Sequence, residues 1–209
     1  DALVKNLKKR NSSIPVGVSI GKNFDTPNEL AFEDYLFCME KVYEYSSYIA
    51  LNISSPNTKS LRELSNKQFL EDLLTKIKKK QKQLSISSKY VPIFLKISPD
   101  ENKEDLEQIC KSIVECKIDG IICSNTTVNH NDRNGYGGLS GLPLREKSTQ
   151  CLLLVKKIVG NSVKIIASGG VMSVADYQEK LDAGADLVQI YTGFIFKGPK
   201  LIRDISNRY

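Results

Sequence analysis

Polar side chains follow a predicted strand at residues 52–58, where the types are suited to binding a polar ligand. Asn52, Ser55 and Asn57 stand within seven residues and offer amides and a hydroxyl. A Ser-Pro-Asn-Thr sequence also forms an Asx or proline turn readily. Composition therefore leaves a ligand-binding loop and a purely structural turn equally open for this segment.

A single lysine interrupts the next apolar run. Lys96 lies between Leu95 and Ile97, so the pattern predicts that its side chain is withdrawn from water. A buried lysine without a partner costs free energy because its ammonium loses hydration. An anionic ligand or an electron-rich ring would be a suitable partner, and an internal salt bridge is the structural alternative.

A third polar segment, residues 124–127, begins a long connection that includes Gly137-Gly138-Leu139-Ser140-Gly141. Connections of this length without secondary structure are often functional. The lone His130 lies here, and we expect it to face solvent. With no histidine and no acid pair at the predicted strand ends, hydrolase chemistry gains no support and we predict no metal.

Two turns of small residues follow the last two predicted strands, at 168–170 (Ser-Gly-Gly) and 191–193 (Tyr-Thr-Gly). In (β/α)8 barrels, turns at this place bind phosphate through backbone N–H groups. Together with the amides, hydroxyls and single lysine, they suit a bound cofactor that carries out the difficult chemistry.

The elements that must position these segments are strands alternating with amphipathic helices. Predicted strands are 16–20, 48–53, 91–97, 120–124, 163–167 and 187–191. Their apolar runs are nearly continuous, which is typical of parallel strands buried on both faces. A doubly wound sheet and a (β/α)8 barrel both fit; the paired turns, and the absence of GxGxxG after any predicted strand, favour the barrel.

Helix-start signals are present at three places. Thr26 precedes Pro27 and Glu29, which predicts a capping box opening a helix. A second helix is predicted from Ser148 to Val159, and Ser173 is predicted to cap a third that stops at Gly184.

If the last two strands are the seventh and eighth of a barrel, the strand at 16–20 is the third. A complete barrel normally has about 250 residues, whereas this chain has 209 and opens at Asp1 within a helical pattern. We therefore expect residues 1–209 to be the C-terminal part of one α/β barrel domain, with six of its eight βα units.

Composition is that of an ordinary globular protein, with 41% hydrophobic residues and a net charge of +6. The basic tract 76–82 continues a helical apolar pattern, so we expect a solvated helix face and no nucleic-acid partner. Five scattered cysteines without CxxC predict buried, reduced thiols and no disulfide or zinc site. No apolar stretch approaches the ~18 residues of a membrane span.

Taken in order, seven motifs resemble the dihydroorotate dehydrogenases. They are IGKN at 20–23, NISSPNT at 52–58, LKISPD at 95–100, SNTT at 124–127, GGLSGLPL at 137–144, ASGGV at 167–171 and VQIYTGFIFKGP at 188–199. The chain is most similar to the quinone-dependent (class 2) enzymes of enterobacterial type, including DYLFCMEKVY at 34–43.

The resemblance implies an FMN-containing (β/α)8 barrel that oxidises dihydroorotate to orotate in pyrimidine synthesis and passes electrons to quinone. It implies that Ser55 is the catalytic base. By the same resemblance, substrate would contact Asn52, Asn57, Asn125 and Thr126, and FMN would contact Ser19, Asn52, Lys96, Ser124, Gly141, Gly170, Tyr191 and Thr192.

There are departures from the family pattern. Ser19 stands where the family usually has asparagine, and Ser124 replaces a usual threonine. The family's first barrel strands, quinone channel and membrane-binding helices have no counterpart here. The resemblance implies a parent enzyme bound peripherally to the cytoplasmic face of the inner membrane. A flavin-free phosphosugar isomerase or lyase barrel, and an inactive fragment, are the alternatives.

Overall fold

The computed structural model describes residues 2–58, 61–130 and 137–208, and this part of the chain contains one six-stranded sheet. The strands are β1 (Gly17–Ile20), β2 (Tyr48–Asn52), β3 (Ile93–Ile97), β4 (Gly120–Cys123), β5 (Lys164–Ser168) and β6 (Leu187–Gln189). All neighbours are parallel and the spatial order is β1-β2-β3-β4-β5-β6. A doubly wound sheet reverses its strand order, whereas a barrel wall keeps it sequential, so the order supports the barrel.

Helices follow every strand and cover one face of the sheet. They are α1 (Ala2–Lys9), α2 (Ala31–Val42), α3 (Lys67–Ser87), α4 (Lys103–Glu115), α5 (Arg145–Val159), α6 (Val174–Asp182), α7 (Thr192–Lys197) and α8 (Pro199–Ser206). Short 3₁₀ turns lie at Asn28–Leu30, Tyr43–Tyr45, Leu61–Ser65 and Leu142–Leu144. From α2 to α6, each helix packs against the next.

A side-chain contact shows that the sheet is curved. The Nε2 of Gln189, at the end of β6, donates to the hydroxyl of Tyr48 at the start of β2, over 3.0 Å. In a flat sheet these strands would be four spacings, or about 19 Å, apart. The two side chains can meet only if the strands bend toward a common interior, as in a barrel wall.

Alternate residues of each strand face opposite sides of the curved sheet. One set, exemplified by Leu51 and Leu95, is fully buried in the large apolar core beneath the helices. The other set forms a separate, smaller cluster inside the curve. Phe94 belongs to that inner cluster, so Lys96, two residues further along β3, lies on the inner side as well. Lys96, which interrupts the apolar run in the sequence, therefore lies on the inner side of the sheet, whereas its neighbours Leu95 and Ile97 lie in the core beneath the helices.

The predicted capping box at Thr26 is wrong. The turn before α2 is the 3₁₀ segment Asn28–Leu30, and it has no side-chain cap. The Thr26 carbonyl instead accepts a hydrogen bond from Lys22 Nζ, over 2.6 Å. Because Lys22 is 7% exposed, its ammonium requires acceptors from this turn.

Two other helix starts differ in outcome. The helix predicted from Ser148 begins three residues earlier, at Arg145, and Ser148 is buried with its Oγ donating to the Arg145 carbonyl over 2.9 Å. The Ser173 cap is confirmed, because its Oγ accepts from the Asp176 N–H at 3.1 Å. That helix ends at Asp182, two residues before Gly184.

The basic tract 76–82 lies on the outer part of α3, while Leu73 and Ile77 are buried beneath it. Two residues of the tract are buried: Ile77 belongs to the apolar face of the helix, and Gln81 donates from Nε2 to the Val91 carbonyl over 2.8 Å. Among the described residues, no helix has both the length and the hydropathy needed to cross a bilayer.

The cysteines form no disulfide in this structure. Cys110, Cys123 and Cys151 are buried as predicted, whereas Cys38 and Cys116 are only partly buried. Within the described ranges, no cluster of three or more His, Cys, Asp or Glu side chains could hold a metal ion.

Candidate active site

A cavity of about 290 Å³ lies at the carboxyl ends of the strands and is lined by Lys96 near the end of β3 and by residues that end or follow β4, β5 and β6. This is the end at which barrel enzymes carry their active sites, because the loops after the strands converge there. The volume is close to the lower end of the ~300–1,000 Å³ range for small-molecule sites.

The two small-residue turns line this cavity together. A Cβ added to Gly193 would lie 2.2 Å from the Val171 carbonyl oxygen, so the turn after β6 packs directly against the turn after β5. Gly170 has a φ of +77° and would meet the Arg145 backbone at 2.2 Å. Only glycine fits at either position, and the bare backbone that results is suited to an anion such as phosphate.

Lys96 lines the same cavity and is half-buried. Burial lowers the pKa of its ammonium below the ordinary lysine value. Among the described residues, Lys96 Nζ has no hydrogen-bond acceptor and no carboxylate partner, so the internal salt bridge is excluded there. The geometry leaves a half-buried cation at the wall of a cavity, which is suited to an anionic or electron-rich ligand.

Amide side chains at the ends of two strands are bonded to one another. Asn125 Nδ2, after β4, donates to Asn52 Oδ1 at the end of β2 over 3.1 Å and to Ser54 Oγ over 3.0 Å. Ser54 Oγ in turn donates to the Lys96 carbonyl over 2.8 Å. These bonds hold the ends of β2, β3 and β4 together beside the cavity.

Ser55 lies in a local turn in which its Oγ accepts the Asn57 N–H over 3.3 Å. The segment thus forms the structural turn, and this turn does not prevent the same segment from binding a ligand. Ser55 is half-buried and Asn57 is exposed, and neither lines the cavity. Ser19 is exposed on β1, paired in register with Ala50.

The structure therefore divides the predicted site residues into two groups. Those that line the cavity are Lys96, Ser124, Asn125, Thr126, Gly141, Gly170, Tyr191 and Thr192. Those that do not are Ser19, Asn52, Ser55 and Asn57, although Asn52 is bonded to Asn125. Tyr191 is 77% exposed, so its contribution comes chiefly from its backbone position in the turn.

Residues 137–141, called here the covering loop, connect the two groups. A Cβ added to Gly138 would lie 1.9 Å from Thr126 Oγ1 and 3.2 Å from Pro56 Cγ. At its other end, Ser140 Oγ is 3.0 Å from Thr192 Oγ1. The covering loop therefore contacts residues that line the cavity and also contacts Pro56, the residue after Ser55. It places the segment that carries Ser55 beside the edge of the cavity.

Several cavity-lining residues were not among the predicted site residues; they include Ser140 and Ser168, which lie in segments named above, and Gln189. Position gave a usable signal for Ser168, which opens the predicted phosphate turn. Gln189 carries no such signal, because its place on the inner face depends on where β6 begins. His130 is half-buried and its Nε2 lies 3.5 Å from the Gly137 carbonyl, and it does not line the cavity.

Comparison with known proteins agrees with this arrangement. A family model described as dihydroorotate dehydrogenase matches residues 1–208. The dihydroorotate dehydrogenase (quinone) of Aliivibrio salmonicida is 51% identical over 99% of this chain and 64% of its own length. That of Shewanella sediminis is 50% identical over 100% of this chain and 64% of its length.

A solved structure gives the same result for the fold. Ligand-free DHODH from Eimeria tenella superposes with a TM-score of 0.87 at 31% identity, covering 98% of this chain and 64% of that one. This chain thus spans about 64% of the length of the curated relatives named above. It belongs to the dihydroorotate dehydrogenase family, and its six βα units are part of that family's (β/α)8 barrel.

Proposed function

We propose that the natural full-length protein containing this chain is a dihydroorotate dehydrogenase (quinone). It would oxidise (S)-dihydroorotate to orotate in pyrimidine synthesis, with FMN as the hydride acceptor and quinone as the final electron acceptor. The observation that carries the proposal is Lys96, a half-buried ammonium without a partner among the described residues, which lines one cavity with both small-residue turns. Relatives of that name at about 50% identity support it.

The donor set of the cavity fits FMN. The backbone turns at Gly170 and Gly193 suit the phosphate, and the hydroxyls of Ser124 and Thr192 suit a polar ring and its side chain. Lys96 would lie beside the flavin ring, where a cation stabilises the negative charge of the reduced cofactor. FMN when bound supplies hydride acceptance, which no side chain of this chain can provide.

Asn52, Asn57, Asn125 and Thr126 would bind the substrate. Amide side chains offer both donors and acceptors, which match the ring amides and the carboxylate of dihydroorotate. The Asn125 side chain is held in place, since its Oδ1 accepts the Thr126 N–H over 2.9 Å and its Nδ2 donates to Asn52. A fixed amide pays little rotamer entropy when it binds a ligand.

Ser55 Oγ would accept the proton from C5 of the substrate while its own hydroxyl proton passes to an ordered water. A free serine hydroxyl is a weak base, so it requires help. The Asn57 N–H that donates to Ser55 Oγ favours negative charge on that oxygen, because a hydrogen bond to the charged form stabilises it. The covering loop, seated on Thr126 and Pro56, would exclude bulk water from the reacting atoms.

Serine at position 55, where soluble class 1 enzymes of the family carry cysteine, supports quinone as the acceptor. On this basis we propose that the full-length protein is bound peripherally at the cytoplasmic face of the inner membrane. The flavin-free isomerase or lyase is disfavoured by the cavity itself, whose described lining contains no histidine and no carboxylate to act as an acid–base pair.

The purified full-length protein should be yellow, and anaerobic dihydroorotate should bleach it. Ser55→Ala should keep FMN and orotate affinity but slow flavin reduction by about 10²–10⁴-fold, the usual value of general-base catalysis. Ser55→Cys should retain more activity than the alanine variant. Ser85→Ala, on the outer part of α3, is the control.

Three results would contradict the proposal. A colourless protein would exclude the flavin site, and fumarate reduction at a rate comparable with quinone reduction would exclude the quinone class. Wild-type flavin reduction by Ser55→Ala in stopped flow would remove Ser55 as the base.

A further inference from the structure

Asp100, directly after β3, joins three other parts of the chain through one carboxylate. Its side chain is 9% exposed. It accepts from Arg62 Nη1 at 2.9 Å, from Thr127 Oγ1 at 2.5 Å and from the Val128 N–H at 2.9 Å. Lys147 Nζ, on α5, is a fourth donor. The segments after β2, β3 and β4 and the start of α5 thus meet at one group.

Arg62 extends this junction to the candidate site. Its Nε donates to the Ser54 carbonyl over 3.3 Å and its Nη2 donates to the Thr126 carbonyl over 3.2 Å. One planar guanidinium therefore contacts Asp100, the residue preceding the candidate base and a candidate substrate residue. Such a fork of donors is geometrically specific in a way that a lysine is not.

The junction remains charged across the working pH range. Burial of the Asp100 carboxyl raises its pKa, but the hydrogen bonds from Lys147, Thr127, Val128 and Arg62 more than offset this and lower the pKa to about 2. Charge-assisted hydrogen bonds are about twice as strong as neutral ones. The contact that holds the segments together is thus present wherever the protein is folded near neutrality.

We propose that Arg62 and Asp100 are a positioning pair, which fixes the Ser55-bearing segment and the Asn125–Thr126 segment at the separation at which both contact one substrate molecule. This inference rests on the proposed function. Neither residue lines the cavity. Arg62 acts through the backbone carbonyls of Ser54 and Thr126, and Asp100 acts by holding Arg62 and the segment after β4. A displacement of about 1 Å at a reacting group can cost ~10²-fold in rate.

Two variants and a matched control test the pair in the full-length holoprotein. Asp100→Asn keeps the shape but removes the charge, and Arg62→Lys keeps the charge but cannot reach three acceptors. The control is Asp119→Asn. Asp119 is a similar junction that accepts from the Ile93 N–H at 2.8 Å and Gln81 Nε2 at 3.2 Å, but it lies at the opposite, amino-terminal end of the strands, where barrel residues serve stability.

The readouts are orotate affinity from the flavin spectrum, single-turnover flavin reduction, and hydrogen–deuterium exchange of residues 53–58 and 125–130. Asp100→Asn should slow flavin reduction by about 10- to 100-fold, weaken orotate binding and raise exchange in both segments together. Arg62→Lys should do the same to a smaller extent. Asp119→Asn should lower the melting temperature and leave all three readouts at wild-type values.

Wild-type reduction rate and orotate affinity in Asp100→Asn would overturn the pair, as would equal losses in Asp119→Asn. Failure of the wild-type protein to reduce its flavin with dihydroorotate would defeat the proposed function instead. The exchange data still decide the pair in that case. Segments that stay protected in Asp100→Asn overturn it, and a joint rise in exchange supports it.

Discussion

Replacing Lys96 with methionine tests two effects of this half-buried charge separately: its effect on the stability of the folded protein and its effect on the affinity for the cofactor. Methionine is flexible, apolar and of similar length, so the substitution removes the charge with little change in volume. In the protein without cofactor, the Lys96 ammonium has no described partner and burial lowers its pKa. Its charge is therefore a cost there, and Lys96→Met should leave the melting temperature of the apoprotein unchanged or raise it.

The effect on cofactor binding should have the opposite sign. A hydrogen bond to a charged group contributes about 1.5–3 kcal/mol, and 1.4 kcal/mol corresponds to a factor of ten in affinity. Loss of the Lys96 contact should therefore weaken FMN binding by about 10- to 150-fold. The same substitution would thus be neutral or favourable for folding and unfavourable for binding.

The assay compares Lys96→Met with Lys180→Met in the full-length apoprotein, using thermal melts and FMN titration by fluorescence quenching. Lys180 is fully buried, with 0% exposure, and unlike Lys96 it donates to Ser148 Oγ at 2.7 Å, Thr149 Oγ1 at 2.6 Å and the Arg145 carbonyl at 3.1 Å. Its removal deletes three hydrogen bonds from a charged donor in a buried place, although the Arg145 carbonyl still accepts from Ser148 Oγ and Thr149 Oγ1. We expect this loss to cost about 1–3 kcal/mol. That corresponds to a melting temperature lower by at least ~2 °C.

Two results would refute the reasoning about Lys96. One is an apoprotein of Lys96→Met that melts as far below wild type as Lys180→Met does, because Lys96 would then have a stabilising partner. The other is wild-type FMN affinity in Lys96→Met, which would place the ammonium away from the cofactor.

Two further predictions concern Lys180 and the covering loop. Burial lowers the pKa of Lys180 from 10.5 to about 8, so between these two pH values the unfolded chain binds more protons than the folded chain, and the stability due to Lys180 rises with pH. The difference in melting temperature between wild type and Lys180→Met should therefore widen from pH 7 to pH 10. A difference that stays constant over this range would contradict the prediction. Gly138→Ala should weaken orotate binding about tenfold or more, because the new Cβ would force Thr126 to move. The control is Gly160→Ala, where an added Cβ meets nothing within 4 Å, and it should leave orotate affinity unchanged. Equal orotate affinity in the two variants would contradict a contact between Thr126 and the bound orotate.

The strands and the unusual environment of Lys96 could be predicted because each depends on local pattern. Continuous apolar runs locate β2, β3 and β4 within one or two residues, and a charged residue inside such a run is unusual enough to indicate a ligand. The order of the strands, by contrast, follows from the sequential barrel connection and not from any one segment. The spatial order of the strands is established only by the pairing of neighbouring strands in the structure.

The missed features depend on contacts between residues distant in sequence. The capping box at Thr26 failed because the buried ammonium of Lys22 uses the carbonyl of that turn, and no helix-start rule includes such a competitor. The junction of Arg62 and Asp100 joins residues 38 positions apart, both of a type normally exposed. Only the fold shows that they meet.

The alternation of faces along each strand has a consequence for how such a chain can change. Leu95 and Lys96 are neighbours in sequence, yet one packs under the helices and the other lines the cavity. A substitution at an inner position can alter ligand chemistry while the helix-facing core keeps its packing. A one-residue insertion or deletion within β3 would exchange the two sets, placing an ammonium beneath the helices and a leucine in the cavity. Inner residue types can therefore change without disturbing the helix-facing core, whereas a change of length within a strand disturbs both faces at once.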